Sequence, residues 1–268
     1  MYQPEDYSEV SWASKAYPEV RKLAKRPGSL AIVPVGSLEQ HGHHLPTATD
    51  TILVSTVGHR AAEGLSDTVP VLVLPVIWTG HSPHHATFGG TVTMGAKKLH
   101  SVLEEIARSV FAEGFDGLLL LNGHGGNSAI VASATSVIGA EHQQKEVVGM
   151  TYFDLGEDRI SQIRKSKRGG AGHAGEVETA MIAYLKPELV DMDTAHGTIW
   201  NPYYDRTRND LSHPGPLSVY ADFTRYSETG AVGSPELATR ERGELFLNVF
   251  VEETEDVLRQ LHQEADRA

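Results

Sequence analysis

Four short apolar runs punctuate the chain: LAIVPVG (30–36), VPVLVLPVIW (69–78), GLLLLNG (117–123) and EVVGMTYFDL (146–155). Each is too short for a core helix, rich in leucine or β-branched residues, and continuous rather than alternating, the pattern of strands buried on both faces. Helical periodicity fills the gaps between them. It covers roughly 50–64, then 95–113 closed by Gly114, then 127–142 opened by Asn127 or Ser128 as a cap. Alternation of strand and helix predicts right-handed crossovers and a three-layer α/β/α fold with a mostly parallel central sheet. Further on, 156–172 reads as a polar, basic loop and HAGEVETAMIAYL as another helix. The run 200–235, rich in Pro, Gly, Tyr and Asp, reads as a long functional loop or an oligomer contact. A long terminal helix follows, with Ser234 as cap and Pro235 at its first position.

The remaining bulk properties narrow the function. The 268 residues suffice for one large core, and no linker or repeat divides them, so a single domain over 1–268 is expected. A net charge of -12 argues against nucleic acid as a partner. Cysteine is absent, which removes disulfides, thiolate metal sites and cysteine nucleophiles, so any metal must rest on His, Asp and Glu. The polar N-terminus MYQPEDYSEV lacks an apolar signal core, and no run approaches a membrane span. A cytoplasmic protein with no membrane partner is the expectation.

Polar clusters follow the proposed strands, where open α/β sheets collect their chemistry. In EQHGHHLPTATD (39–50), Glu39 and His41 are two apart and project to one side if the extended backbone persists, and Asp50 at the foot of the next helix can close over the same point. Two carboxylates and an imidazole suit Zn²⁺ or Mn²⁺; a solvated turn with Asp50 favouring a helix N-terminus is the alternative. NGHGGN (122–127) leaves the leucine strand with glycines that let the backbone approach a ligand, and aims His124 at the sheet edge. GHAGEVETA (172–180) sets His173 between glycines, with Glu176 and Glu178 at a helix mouth where one of them serves the helix dipole. GHSPHHATFGGTVT (80–93) contributes His81, His84 and His85, with His84 and His85 as substrate-binding candidates. Trp78, Tyr152 and Phe153 read as core packing at strand ends, with a pocket lining as the alternative.

Taken in order, EQHGHHLPTATD, FGGTVT, NGHGGN and HAGEVET resemble the creatininase (creatinine amidohydrolase) family of metal-dependent amidohydrolases, over residues 39–179. The resemblance implies one α/β domain, assembly into homo-oligomers that are often hexamers, and two divalent ions, Zn²⁺ or Mn²⁺. Glu39, His124 and Asp50 would hold one ion. His41 and the bridging Asp50 would hold the other with a further carboxylate. Creatininase takes that carboxylate from a glutamate two residues after the NGH histidine, where this chain has Gly126; the resemblance then points to Glu178, with Glu176 as the alternative. His173 matches the family's catalytic proton-transfer histidine, while His43 and His44 are left as rim or supporting positions. Creatininase also closes its pocket with tryptophans, whereas Lys167, Arg168 and glycines surround His173 here, which counts against creatinine itself. Those two cations read as a solvated loop, with an anionic or polyhydroxylated substrate as the alternative. The activity implied is hydrolysis of a C–N bond in a small cyclic amide or formamide; the alternative is opening of an oxidised cyclitol or sugar ring at a C–C bond.

Overall fold

A computed structural model describes residues 8–201, 204, 206–207, 210–211 and 217–267. Four strands, β1 (Leu30–Val35), β2 (Val71–Val73), β3 (Gly117–Asn122) and β4 (Glu146–Thr151), form a fully parallel sheet in the order β2-β1-β3-β4. The continuous apolar runs are explained by both faces being covered. Leu30, Ile32, Leu119 and Leu121 face one core, which they share with α2 (Thr49–Leu65), α6 (Glu176–Leu185) and α7 (Arg240–Ala265). The intervening Ala31, Val33, Leu118 and Leu120 face the other core, with α3 (Ala96–Glu113) and α4 (Ser128–Glu141). Successive strand residues point to opposite faces, so a two-sided strand needs an unbroken apolar run. The result is the expected α/β/α layering.

Several boundaries differ from the sequence expectation. The second strand is three residues long because Pro70 and Pro75 lack the N–H a ladder needs; beyond it only an isolated bridge joins Val35 to Ile77. The fourth strand ends at Thr151, and Tyr152 and Phe153 turn into the core, both 1% exposed. Trp78 is not core: it is 51% exposed. The loop expected at 156–172 contains a short helix, α5 (Glu157–Ile163), and the N-terminal segment contains α1 (Tyr17–Ala24). Ser234 and Pro235 start only a 3-10 turn, Pro235–Leu237, after which α7 begins afresh under Thr239, whose side chain accepts from the backbone N–H of Arg242. Gly114 closes α3 in the left-handed conformation (φ 109°), as expected of a glycine there. Of the 200–235 run, residues 202–203, 205, 208–209 and 212–216 lie outside the described residues, as do residues 1–7 of the N-terminus. The described part of 200–235 holds the 3-10 turn Phe223–Arg225 and the first residue of the turn Pro235–Leu237. Among the described residues no helix is long and apolar enough to cross a membrane.

This topology dictates where a site can form. From β1 the chain crosses through α2 to β2 on one side, and from β3 through α4 to β4 on the other, so the connections diverge between β1 and β3. Their carboxyl ends are in register, Val35 opposite Asn122, and the loops leaving them open a crevice at that divergence.

Candidate metal centre

The loop after β1 carries Glu39 and His41, and the first turn of α2 carries Asp50; all three are buried. The loop after β3 brings in His124, also buried, the turn before α6 brings in His173, and the first turn of α6 brings in the buried Glu178. Three sets of side-chain atoms lie within 4.8 Å of one another: Glu39, Asp50 and His124; His41, His173 and Glu178; and Glu39, His85 and His173. Glu39, His41, Asp50, His124, His173 and Glu178 therefore reach one locus, and His85 joins them, whereas Glu176 does not. His84 lies alongside, half-buried, its ring 5.7 Å from that of His124.

Each imidazole is oriented from behind. His41 Nδ1 donates to the carbonyl of Glu39 at 3.1 Å, which leaves Nε2 facing Asp50 Oδ1 at 3.2 Å. His173 Nε2 donates to the carbonyl of Gln40 at 2.7 Å, which leaves Nδ1 facing Glu39 Oε1 at 3.6 Å. A chain of hydroxyls holds His124. The ionised Glu39 Oε2 only accepts, so the Ser37 hydroxyl donates to it at 2.8 Å; Ser82 donates to Ser37 at 2.6 Å, and His124 Nε2 to Ser82 at 3.1 Å. His124 Nδ1 then faces Glu39 Oε1 at 3.2 Å and Asp50 Oδ2 at 3.3 Å. Outer nitrogens tied to oxygens and inner nitrogens turned inward are the arrangement that orients metal-binding histidines.

The inner atoms converge without satisfying one another. Nitrogens of His85, His124 and His173 approach Glu39 Oε1 at 3.2, 3.2 and 3.6 Å. Yet among the described residues neither Glu39 Oε1 nor Asp50 Oδ2 is aligned with a hydrogen-bond donor, although both are fully buried. A buried carboxylate oxygen without a donor is costly. Donor atoms that point to a common centre rather than at each other fit a hard or borderline divalent cation with nitrogen and oxygen ligands. Asp50 turns Oδ1 toward His41 and Oδ2 toward His124.

Electrostatics follow from this crowding. Burial alone would raise Glu39, but the imidazoles of His124, His85 and His173 outweigh it and hold its carboxyl well below the usual range. Burial would lower His41, but the Asp50 carboxylate raises it to about 9. His124 is likewise raised by Glu39 and Asp50 against burial. His173 goes the other way: burial and the neighbouring His41 lower it to about 3, so it is neutral. Burial lifts Glu178 to about 7, with His41 opposing and Asp50 adding to the rise.

Glu176 and Glu178 have distinct surroundings. Glu176 accepts from the backbone N–H groups of Lys165 (2.9 Å) and Ser166 (2.7 Å) and pairs with Arg242 at 3.1 Å, so it is spent on holding the loop ahead of His173. Glu178 Oε2 accepts from the N–H of Ala174 at 2.6 Å, and the residue remains grouped with His41 and His173. Ala174 is the one non-glycine with positive φ (53°) among the described residues, a conformation tolerated where the surroundings over-determine it. Lys167 and Arg168 are exposed, His43 is exposed, and His44 is buried against Thr179 Oγ1 at 2.9 Å.

Some supporting residues escaped the sequence reading. Asn127 does not cap α4 with its side chain. Its Oδ1 accepts from His81 N at 2.8 Å and its Nδ2 donates to Gly36 O at 3.1 Å, joining the three loops that carry the site. Asp210, buried, pairs with Arg164 at 2.8 Å and accepts from Gly169 N at 2.7 Å, anchoring the glycine turn before His173. Phe223 covers the cluster, its ring 4.1 Å from that of His85 and 5.1 Å from that of His173. Only Asn127 carried a local signal, and capping was a competing explanation for it. Gly126 has no room for a side chain: a Cβ there would lie inside contact distance of His124 Nε2 and 2.5 Å from His81 O. This packing accounts for the missing glutamate at that position.

Comparison with known proteins agrees with the geometry. The sequence profile of the creatininase family (creatinine amidohydrolase) matches residues 13–258. Creatinine amidohydrolase of Pseudomonas putida is 30% identical over 248 residues, covering 85% of this chain and 88% of its own. A mycofactocin precursor peptide peptidase of Mycobacterium ulcerans (strain Agy99) is 31% identical over 230 residues, with 84% and 81% covered. The 3-dehydro-scyllo-inosose hydrolase of Thermotoga maritima is 28% identical over 253 residues, with 87% and 77% covered. Among solved structures, a Mn creatininase superposes with a TM-score of 0.78 at 27% identity, and a mutant creatininase of Zn-Zn type with 0.79 at 28%; each comparison covers 94% of this chain and 98% of the other. With the profile spanning most of the chain and the fold shared throughout, the protein belongs to the creatininase family of metal-dependent hydrolases.

Proposed function

We propose that this hydrolase binds two divalent ions, Zn²⁺ or Mn²⁺, and cleaves a C–N bond in a small cyclic amide or formamide-type substrate. Glu39, Asp50 and His124 would hold one ion; His41, Asp50 and Glu178 would hold the other. The observation that carries this reading is the pair of buried carboxylate oxygens, Glu39 Oε1 and Asp50 Oδ2, that lie at the focus of the imidazoles without an aligned hydrogen-bond donor among the described residues. When bound, such ions supply Lewis acidity that lowers the pKa of water and polarises a carbonyl. The chain's own residues supply the proton path. His173 is neutral, its Nε2 proton is committed to Gln40 O, and its Nδ1 is bare and inward. It can take a proton from the attacking water at Nδ1 and return it to the leaving nitrogen. Phe223 and the buried His85 keep bulk solvent from that nitrogen.

The alternative substrate class, an oxidised cyclitol or sugar ring opened at a C–C bond, is favoured by the polar, histidine-rich turn at 81–85 and by the similarity to the inosose hydrolase. Metal-loaded protein assayed on creatinine, N-formyl compounds and keto-inositols separates the two. Hydrolysis of an amide or formamide supports the first reading, and turnover confined to the ketones refutes it. A homo-oligomer in the cytoplasm is part of the proposal; exposed Ile199, Tyr204, Leu217, Val219 and Tyr220 in one stretch of chain support self-association. Light scattering on the purified protein tests the oligomer.

A further inference from the structure

One residue between the ligand candidates Glu39 and His41 has a position of its own. Gln40 is buried, and its amide is locked at both ends by backbone. Oε1 accepts from the N–H of Gly42 at 2.9 Å, and Nε2 donates to the carbonyl of Gly230 at 3.1 Å. The reverse amide orientation would set an oxygen against the Gly230 carbonyl and an NH₂ against the Gly42 N–H, so the assignment is unambiguous. Gly230 (φ 88°) lies so close that a Cβ there would overlap Gln40 Oε1, which holds the amide in place.

The second hydrogen on Gln40 Nε2 goes to His85 Nδ1 at 2.7 Å. A nitrogen that accepts cannot carry a proton, so His85 is neutral with its proton on Nε2, and that N–H points inward, 3.2 Å from Glu39 Oε1. The backbone carbonyl of the same Gln40 takes the Nε2 proton of His173 at 2.7 Å, leaving the inward Nδ1 of His173 bare. With both amide hydrogens used and His173 Nε2 itself protonated, the 3.2 Å approach of Gln40 Nε2 to His173 Nε2 is a contact without a proton between the nitrogens. The two imidazoles, with ring centroids 4.3 Å apart, thus present opposite faces to one locus: a donor from His85 and an acceptor from His173.

We infer that Gln40 is a positioning residue that sets these complementary tautomers, and that His85 is a fixed neutral hydrogen-bond donor for the substrate's carbonyl oxygen rather than a metal ligand. His85 belongs geometrically to a three-residue set that could hold a cation, but an inward N–H has no lone pair to give. Neutral imidazole donors stabilise developing oxyanions without introducing a charge that competes with the metals. The inference rests on the proposed metal site and adds a role to it.

The test uses zinc-loaded full-length protein labelled with ¹⁵N-histidine, with acetohydroxamate as the amide-like probe. Long-range ¹H–¹⁵N spectra should show His85 protonated at Nε2 and bare at Nδ1, and acetohydroxamate should shift the His85 Nε2–H resonance. In Gln40→Glu the carboxylate at His85 Nδ1 demands a proton, so the His85 proton should move to Nδ1. Probe affinity should then fall about tenfold, the cost of roughly one hydrogen bond, with zinc content unchanged. Gln40→Met, which removes the donor without adding charge, should give a smaller loss of affinity. A bare His85 Nε2 in the wild-type protein, a His85 resonance unmoved by the probe, or unchanged probe affinity in both variants would overturn the inference while leaving the metal site standing. Because the wild-type spectrum alone reports the tautomer, the test survives a variant that fails to fold. A wild-type protein that takes up no zinc would instead overturn the metal site and this inference with it.

Discussion

Placing a single methyl group at Gly126 tests the architecture most directly. A Cβ at that position would meet His124 Nε2, would lie 2.5 Å from the carbonyl oxygen of His81 and would lie 2.9 Å from His84 Cε1. Relief to ordinary contact requires a shift of about 1 Å. The His81 carbonyl belongs to backbone held by Asn127, whose Oδ1 accepts from His81 N, so the imidazole of His124 is the group that must give way. Its Nδ1 stands 3.2 and 3.3 Å from Glu39 Oε1 and Asp50 Oδ2, and a displacement of that size takes it out of the shared locus. Overpacking of this kind costs about 1–3 kcal/mol of stability, and a misplacement near 1 Å costs on the order of 100-fold in function. Gly126→Ala should therefore lose most of its zinc affinity in chelator competition and melt at lower temperature. The neighbouring Gly125→Ala should match the wild type on both counts, because a Cβ there meets nothing within 4 Å. Full metal affinity in Gly126→Ala, or equal damage from both substitutions, would refute the packing account of why this chain lacks a carboxylate at 126.

Three further outcomes are expected. Asp50→Ala should lose metal and activity together, whereas His173→Ala should keep both ions and lose turnover; elemental analysis showing one ion missing from His173→Ala would make that residue a ligand. In the metal-free protein His41 (raised to about 9) and His124 (raised well above its ordinary value by Glu39 and Asp50) are protonated at neutral pH, and Glu178, near 7, is about half protonated. Zinc loading at pH 7 should release roughly two to three protons, and apparent affinity should rise with pH up to about 9; calorimetry in buffers of different ionisation enthalpy reads the count, and no net release would contradict the assignment of His41 and His124. Asp210→Ala removes the buried carboxylate beside Arg164, whose side chain is 5% exposed. Breaking such a buried pair costs about 3–5 kcal/mol, a fall of roughly 6–20 °C in Tm for a chain of this size, measurable by thermal unfolding.

The layered fold was legible in the sequence because a parallel sheet covered on both faces demands unbroken apolar runs, and helices between them demand 3.6-residue periodicity. Strand 69–78 was overextended where Pro75 breaks the ladder, and the start of α7 was misplaced because Ser234 and Pro235 carry a start signal that the chain spends on a single turn. The site candidates were legible as residue types because Glu39, His41, His124 and His173 sit in loops that follow strands or precede a helix, and Asp50 in the first turn of one, where a polar cluster has few other uses. What sequence could not decide was which atom faces which. The separate roles of Glu176 and Glu178, the inward proton on His85 and the bare nitrogen on His173 depend on Lys165, Ser166, Gln40 and Gly230, which lie up to about 190 residues from the groups they orient. Residue type is a local property that periodicity and motif can read. Tautomer, carboxylate orientation and the room left at Gly126 are settled by hydrogen bonds and contacts across the fold, and only the tertiary structure brings those partners together.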